Sequence, residues 1–202
     1  MHEDTKALIT MNANYFGDNY IVYGDLIIDS ENIGNLSPVQ RWYFATIEDN
    51  GKQEFDFGRT DKIKDDAYAI AWSKRMAKGY KWGVGGIGPL LLEGQKVSND
   101  LLESNFTTRH LGKAYRSAFG VNQNQKYAYV FAGIKEGRKG WNTTDTSNFL
   151  KKRGVHNGVF FDSGGSTGLI WKDTALVETR YYKNIGIRER IPSVIQIYKE
   201  KN

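Results

Sequence analysis

An α+β fold, with a twisted mixed β-sheet at its centre and a few short helices, is what this sequence predicts. Twelve Tyr, ten Phe and five Trp are more than helices favour and suit half-buried pleated surfaces. Short apolar runs alternate with Gly, Asn and Asp turn residues, and helical spacing is convincing in only two segments. The 202 residues contain no internal repeat, low-complexity tract or linker, so one domain over 1–202 is expected.

Residues Lys6–Met11 read as a strand leading into Asn12-Ala-Asn-Tyr-Phe-Gly17, a turn or a polar ligand contact. Residues Tyr20–Tyr23 and Asp25–Asp29 read as a hairpin hinged at Gly24, and Gly34–Pro38 as loop. Arg41–Ile47 is a strand, and the Asp49-Asn50-Gly51 turn returns the chain through Glu54–Phe57. Asp61–Lys78 has helical spacing, acidic residues near its start, basic ones near its end, and Gly79 as a stop. Tyr80–Val84 is again a strand, running into the glycine-rich segment Gly85–Gln95. The glycines lack dinucleotide-fingerprint spacing and no helix plainly follows, so the segment reads as a pocket wall or buried turn.

Ser98–Gly112 is polar and loop-like, with room for one helical turn, and Tyr127–Ala132 is a strand. Thr144 is expected to cap a helix over Asp145–Arg153 that stops at Gly154. Then comes the stretch around which the chain is organised. Val159-Phe160-Phe161 is a strand ending at Asp162, Ser163-Gly164-Gly165-Ser166-Thr167-Gly168 is a tight turn, and Leu169-Ile170-Trp171 resumes a strand. One reading makes this turn an anion-binding nest of bare N–H groups beside a carboxylate. The other makes it an ordinary hairpin turn in which Asp162 caps its own loop. Val194–Tyr198 closes the chain as a strand.

The absence of cysteine removes disulfides, thiolate metal sites and cysteine catalysis. No apolar run has membrane-spanning length and no signal-peptide pattern is seen, so a cytoplasmic protein is expected, or a secreted one if a leader has been removed. A net charge of +5 suits an anionic ligand. Basic residues form no stripe with stacking aromatics, so nucleic acid is not favoured.

Five blocks, in order, carry a resemblance over nearly the whole chain. They are Asn12-Ala-Asn-Tyr-Phe16, Gly85-Gly-Ile-Gly-Pro-Leu-Leu-Leu-Glu-Gly94, Arg116-Ser-Ala-Phe-Gly120, Asp162-Ser-Gly-Gly-Ser166 and Arg190-Ile-Pro-Ser-Val194. Together they resemble the phosphodiester glycosidase family. The resemblance places Asn12 at the family's Asn-Gly-Gly-Phe-Phe-like block, and Gly85, Gly86, Gly88 and Pro89 in its glycine segment. It places Arg116 in its Arg-Thr-Ala-Ile-Gly-like block, and Asp162, Gly164, Gly165 and Ser166 in its Asp-Gly-Gly-Gly-Ser signature. Arg190, or Arg188 in its stead, matches the arginine before the last strand. Ser163, Ala13 and Asn14 stand where the family has glycines.

The resemblance implies hydrolysis of a sugar–phosphate diester at the anomeric C–O bond, giving a sugar and a phosphomonoester. Asp162, Arg116 and Arg190 are then the catalytic candidates, the carboxylate near the anomeric carbon and the guanidiniums on the phosphate. Asn12, Gly85, Gly86, Gly164, Gly165, Ser166, Thr167 and Arg188 are the substrate-binding candidates. Asp25, Asp29 and Asp145 are further carboxylates by type only, and His110 and His156 are proton shuttles by intrinsic pKa. No cofactor is called for, and divalent metal stays open because no His/Asp cluster has ligand spacing. The expected partner is a small sugar phosphodiester, glycan or nucleotide-like molecule, with no membrane. The rival reading is a non-catalytic protein that sequesters a phosphorylated sugar or nucleotide-like signal. A cell-surface glycan-binding module is a third, and would need a secretion signal.

Overall fold

The computed structural model describes residues 7–34, 42–59, 79–105, 108–133, 140–182, 187–188 and 190–199. In chain order the elements are β1 (Ile9–Asn12), β2 (Leu26–Ile28), β3 (Glu31–Asn32), β4 (Trp42–Asp49), β5 (Lys52–Arg59), β6 (Tyr80–Leu92) and β7 (Gln95–Lys96). Next come helices α1 (Asn99–Asn105) and α2 (Thr108–Leu111), strands β8 (Arg116–Val121) and β9 (Ala128–Gly133), and helix α3 (Thr143–Lys152). The chain continues with β10 (Asn157–Phe160), β11 (Leu169–Trp171), β12 (Thr174–Val177), β13 (Tyr181–Tyr182), β14 (Ile187–Arg188) and β15 (Val194–Ile197). The helix expected over Asp61–Lys78 lies outside the described residues.

The α+β class holds, but every strand pairing among the described residues is antiparallel, so the sheet is not mixed. A large sheet runs β3-β2-β6-β10-β8-β9, with β4 pairing both β5 and β6. A smaller sheet runs β12-β11-β1-β15. The two share one hydrophobic cluster: Met11, Leu169, Ile195 and Ile197 of the small sheet pack with Phe44, Val84, Phe119 and Val159 of the large one. Phe119 anchors it, with ring centroids 4.6 Å from Phe44 and 5.6 Å from Phe55. On β8 and β10 the alternate residues, Ala118 and Phe160, face a second buried cluster on the other side of the sheet, at the period of two that a pleated strand imposes.

Several local expectations are corrected. The first part of the glycine-rich segment, Gly85–Leu92, continues β6, whose 13 residues pair with β2 and β4 along one half and β10 along the other, and the turn comes only at Glu93-Gly94. Pro89 has no N–H for the ladder, and the register of β10 shifts beside it, between Gly158 and Val159. The first hairpin joins β2 to β3 through Asp29 and Ser30, both at positive φ, rather than 20–23 to 25–29. Polar residues over 98–112 form two helices. Helix α3 is capped by Asn142, whose Oδ1 accepts from Asp145 N at 2.6 Å, and not by Thr144. The Asp162 turn is no hairpin at all, because β10 and β11 belong to different sheets.

Where β4 lies between β5 and β6, two buried phenols meet a half-buried acid. Tyr80 donates to Asp56 Oδ2, Tyr43 donates to the same oxygen at 3.2 Å, and the two hydroxyls lie 2.9 Å apart. Burial, then the bond to Asp56, pushes the Tyr80 hydroxyl far above its ordinary value. A raised folded-state pKa means that the folded protein holds this proton where the unfolded chain has lost it. Its stabilisation is therefore complete below about pH 10 and fades as pH rises past that point. Urea midpoints at about pH 8 and about pH 11 should show a steeper alkaline loss in the wild type than in Tyr80→Phe. Equal losses would exclude this coupling.

Candidate active site

The chain crosses from the large sheet to the small one through residues 161–168, so Asp162 sits on the seam. A carboxamide from the end of β1 holds the crossover at both ends. Asn12, buried at 3% exposure, donates from Nδ2 to Asp162 O at 2.7 Å, and its Oδ1 accepts from Gly168 N at 3.1 Å. The same Oδ1 accepts from Ser117 Oγ on β8 at 2.5 Å. Main-chain bonds run alongside, from Asp162 N to Ala13 O (3.2 Å) and from Phe161 N to Ser117 O (3.0 Å). The Asp162 side chain is half-buried, and its Oδ1 accepts from Ser163 N at 2.8 Å, which fixes the carboxyl plane.

A second amide ties in the glycine segment. Asn14 Nδ2 donates to Asp25 O at 2.9 Å and Gly85 O at 2.8 Å, and Asn14 N donates to Ser193 Oγ at 3.1 Å. Gly85 N donates to Asp25 O at 2.6 Å, and a Cβ on Gly85 would fall 2.4 Å from Asp25 N. Only glycine permits that approach. Gly86 follows within β6. Asn14, Asp25, Ser117 and Ser193 are the members of this cluster that the sequence did not assign. Asp25 was named by type alone, and Asn14 stood out only as a departure from the family's glycine.

Arg116 is fully buried. Its Nε donates to Trp141 O (3.3 Å), one terminal nitrogen donates to His110 O (2.7 Å) and Ser163 Oγ (3.2 Å), and the other donates to Gly112 O (2.5 Å). The guanidinium carbon lies 5.5 Å from the centre of the Phe160 ring. Burial lowers its pKa, yet an arginine keeps its charge. The cation thus braces the turn and the 110–112 segment. The His110 ring meets Tyr15 edge-on at 5.2 Å.

The other expected residues divide. Gly164 takes φ +74°, and its N–H donates to Tyr115 O at 2.8 Å. The N–H groups of Ser163, Thr167 and Gly168 are also bonded within the protein, so most of the expected nest is internally filled. Gly165 O accepts from Arg180 N at 2.8 Å, while Ser166 and Thr167 are buried in the crossover. Arg188 is exposed, paired with Glu178 at 2.6 Å and with Thr179 O at 3.0 Å. It borders a groove of about 200 Å³ with Asn12, Gly168 and Val194. Arg190 is exposed and precedes Ser193. His156 lies away from this cluster, its N–H on Val121 O and its carbonyl on Gly94 N. Among the described residues no three His, Asp or Glu side chains gather as metal ligands, and no helix is long and apolar enough to cross a membrane.

The sequence profile of the phosphodiester glycosidases matches residues 5–198. The chain belongs to the phosphodiester glycosidase family. No curated protein sequence matches it. Among solved structures it is similar to the catalytic domain of zebrafish N-acetylglucosamine-1-phosphodiester alpha-N-acetylglucosaminidase, auto-inhibited by its pro-peptide, at 20% identity and TM-score 0.74. That alignment covers 98% of this chain and 66% of the zebrafish chain. A Burkholderia pseudomallei protein described as exported gives 10% identity and TM-score 0.69, covering 98% of this chain and 67% of the other. A hypothetical Synechocystis protein gives 14% and 0.54, covering 96% and 51%. The chain therefore shares their fold while spanning between half and two thirds of their length.

Arg116→Lys tests the bracing role. One ammonium cannot reach four acceptors that point in different directions, and buried acceptors left bare cost about 1–3 kcal/mol each. Urea unfolding should show a loss of roughly 2–4 kcal/mol; an unchanged midpoint would remove Arg116 from this role.

Proposed function

We propose that the chain is a hydrolase that cleaves a sugar–phosphate diester at the anomeric C–O bond, and that it works as one domain over 1–202. The observation that carries this is the seam itself: family membership coincides with a half-buried Asp162 carboxyl whose main chain is tied on both sides and whose plane is set by Ser163 N. A group held so firmly meets a reacting atom without reorganising.

In this reading water adds across the C1–O bond. The anomeric carbon gains the hydroxyl, and the phosphate leaves with both electrons of the broken bond as a phosphomonoester. A phosphate is a good leaving group, so protonation of the departing oxygen matters less than in ordinary glycosides. Asp162 stands at the anomeric carbon as nucleophile, base or stabiliser of the oxocarbenium charge. Arg190 and Arg188, both exposed, take the phosphate oxygens, for which Arg188 exchanges its Glu178 partner. Arg116 acts through Ser163 and the turn, as a positioning residue. Gly85, Gly86, Gly164 and Gly165 keep the main chain close to the ligand, and Asn12, Ser166 and Thr167 shape the floor beneath it. The name of the zebrafish relative makes an N-acetylglucosamine 1-phosphodiester the first probe.

Asp162→Asn should lower kcat on a competent diester by about a thousandfold or more, with ligand affinity and thermal midpoint nearly unchanged. Product masses distinguish hydrolysis from sequestration, because a binding protein would return the diester intact after denaturation. Full turnover by Asp162→Asn would refute the role given to this carboxylate.

A further inference from the structure

We infer that the loop after β1, residues 15–23, is a stacking platform for the sugar ring of the substrate. This rests on the hydrolase reading and adds the residues that select the sugar. The loop leaves the site directly from Asn14 and is closed on itself. Phe16 bridges Val22, Tyr23 N donates to Tyr15 O at 2.9 Å, and Gly17 N donates to Ile21 O at 3.0 Å. Its base is fastened to the floor of the site through Asn14 and Asp25.

The tip is strained. Asn19 and Tyr20 follow one another at φ 62° and 60°, a left-handed conformation that a bulky side chain such as tyrosine disfavours. Such strain persists only where surrounding contacts over-determine it, and it concentrates at ligand clamps. Here it lifts an aromatic ring into solvent: Tyr20 is 50% exposed, and its ring stacks on Phe16 at 6.0 Å and 21°. Tyr23 is 41% exposed and lies across Gly17, where an added Cβ would fall 2.1 Å from the Tyr23 hydroxyl. Gly17 is not at positive φ, so its lack of a side chain serves the seat of Tyr23 rather than the backbone.

The chemistry of this surface selects a pyranose over a phosphate. Residues 15–23 contain no Lys or Arg and include Asp18, so the loop offers an anion no opposite charge. The negative faces of the rings instead meet the polarised C–H groups on one side of a sugar. Arg188 and Arg190, both exposed, precede Ser193, whose Oγ accepts from Asn14 N on the other flank. Both groups are thus tethered to the short segment 12–14, to which Asp162 N is also bonded through Ala13 O. In this proposal a diester lies with its sugar on the tyrosines, its phosphate towards the arginines and its anomeric carbon facing the carboxylate.

The test uses the methyl ester of N-acetylglucosamine 1-phosphate, with other sugar 1-phosphodiesters in parallel. Tyr20→Ala, Tyr23→Ala and Gly17→Ala should each raise KM about tenfold with kcat within about twofold, and Tyr20→Phe should restore the wild-type KM. The thermal midpoint of Tyr20→Ala should not fall, which separates lost stacking from lost folding. Saturation-transfer NMR on Asp162→Asn, irradiating aromatic protons, should mark the sugar ring protons, and adding Tyr20→Ala should erase that mark. Unchanged KM in the three variants beside normal wild-type turnover would overturn the platform and leave the hydrolase reading standing. If the wild type cleaves none of the diesters, the hydrolase reading fails. The NMR mark then decides the platform alone, its presence supporting it and its absence overturning it.

Discussion

The carboxamide of Asn12 is the interaction on which the rest depends. Its amide nitrogen and oxygen connect the start of the crossover at Asp162, its end at Gly168, and β8 at Ser117, just beyond the ends of the β8–β10 and β1–β11 ladders. A buried amide must satisfy its hydrogen-bonding groups within the protein or lose its desolvation energy, about 1–3 kcal/mol for a group left bare. That penalty makes the geometry specific, because few placements of Asp162 and Gly168 satisfy both ends of one amide together. The catalytic candidate inherits its position from this requirement.

Around that point the fold separates holding from exposing. Arg116 and Asn14 are buried polar groups whose donors face main-chain carbonyls, Arg116 those of His110, Gly112 and Trp141, Asn14 those of Asp25 and Gly85. Such contacts are strong because they are dry, and each would be expensive to break singly. Behind them the Phe44, Phe55 and Phe119 rings fill the space between the sheets. Exposed functional groups remain at the rim: the partly accessible Asp162, the arginines before β15, and the tyrosines of the first loop. Preorganisation of this kind stabilises a transition state without rearrangement at the moment of reaction.

Much of this was legible in the sequence, for physical reasons that differ by element. The Asp49-Asn50-Gly51 turn and the β4–β5 hairpin could be read because turn chemistry is local. The family blocks marked Asn12, Gly85, Arg116 and Asp162, and the fold does place them around one seam. What stayed hidden was long-range. A strand, a glycine turn and a strand look the same whether they pair with each other or with partners a hundred residues away, so the crossover at Asp162 passed for a hairpin. Gly85 of β6 looked like part of a turn because its reason is a neighbour, Asp25, and not its own torsions. The first loop's alternation of Tyr20 and Val22 mimicked a strand, while the Gly17–Ile21 bond bends it into a tight tip. Arg116 carried a family signature but no sign that its donors would face inward.

Amide hydrogen exchange at two sites, Gly168 N–H and Asp162 N–H, tests the welding role of Asn12 most directly. In the wild type both should exchange only on global unfolding, at rates like those of β10. In Asn12→Ala both should lose protection by at least about tenfold, corresponding to about 1.4 kcal/mol, while β4 and β5 stay protected. Rapid exchange of Gly168 in the wild type, or protection unchanged in the variant, would contradict the account.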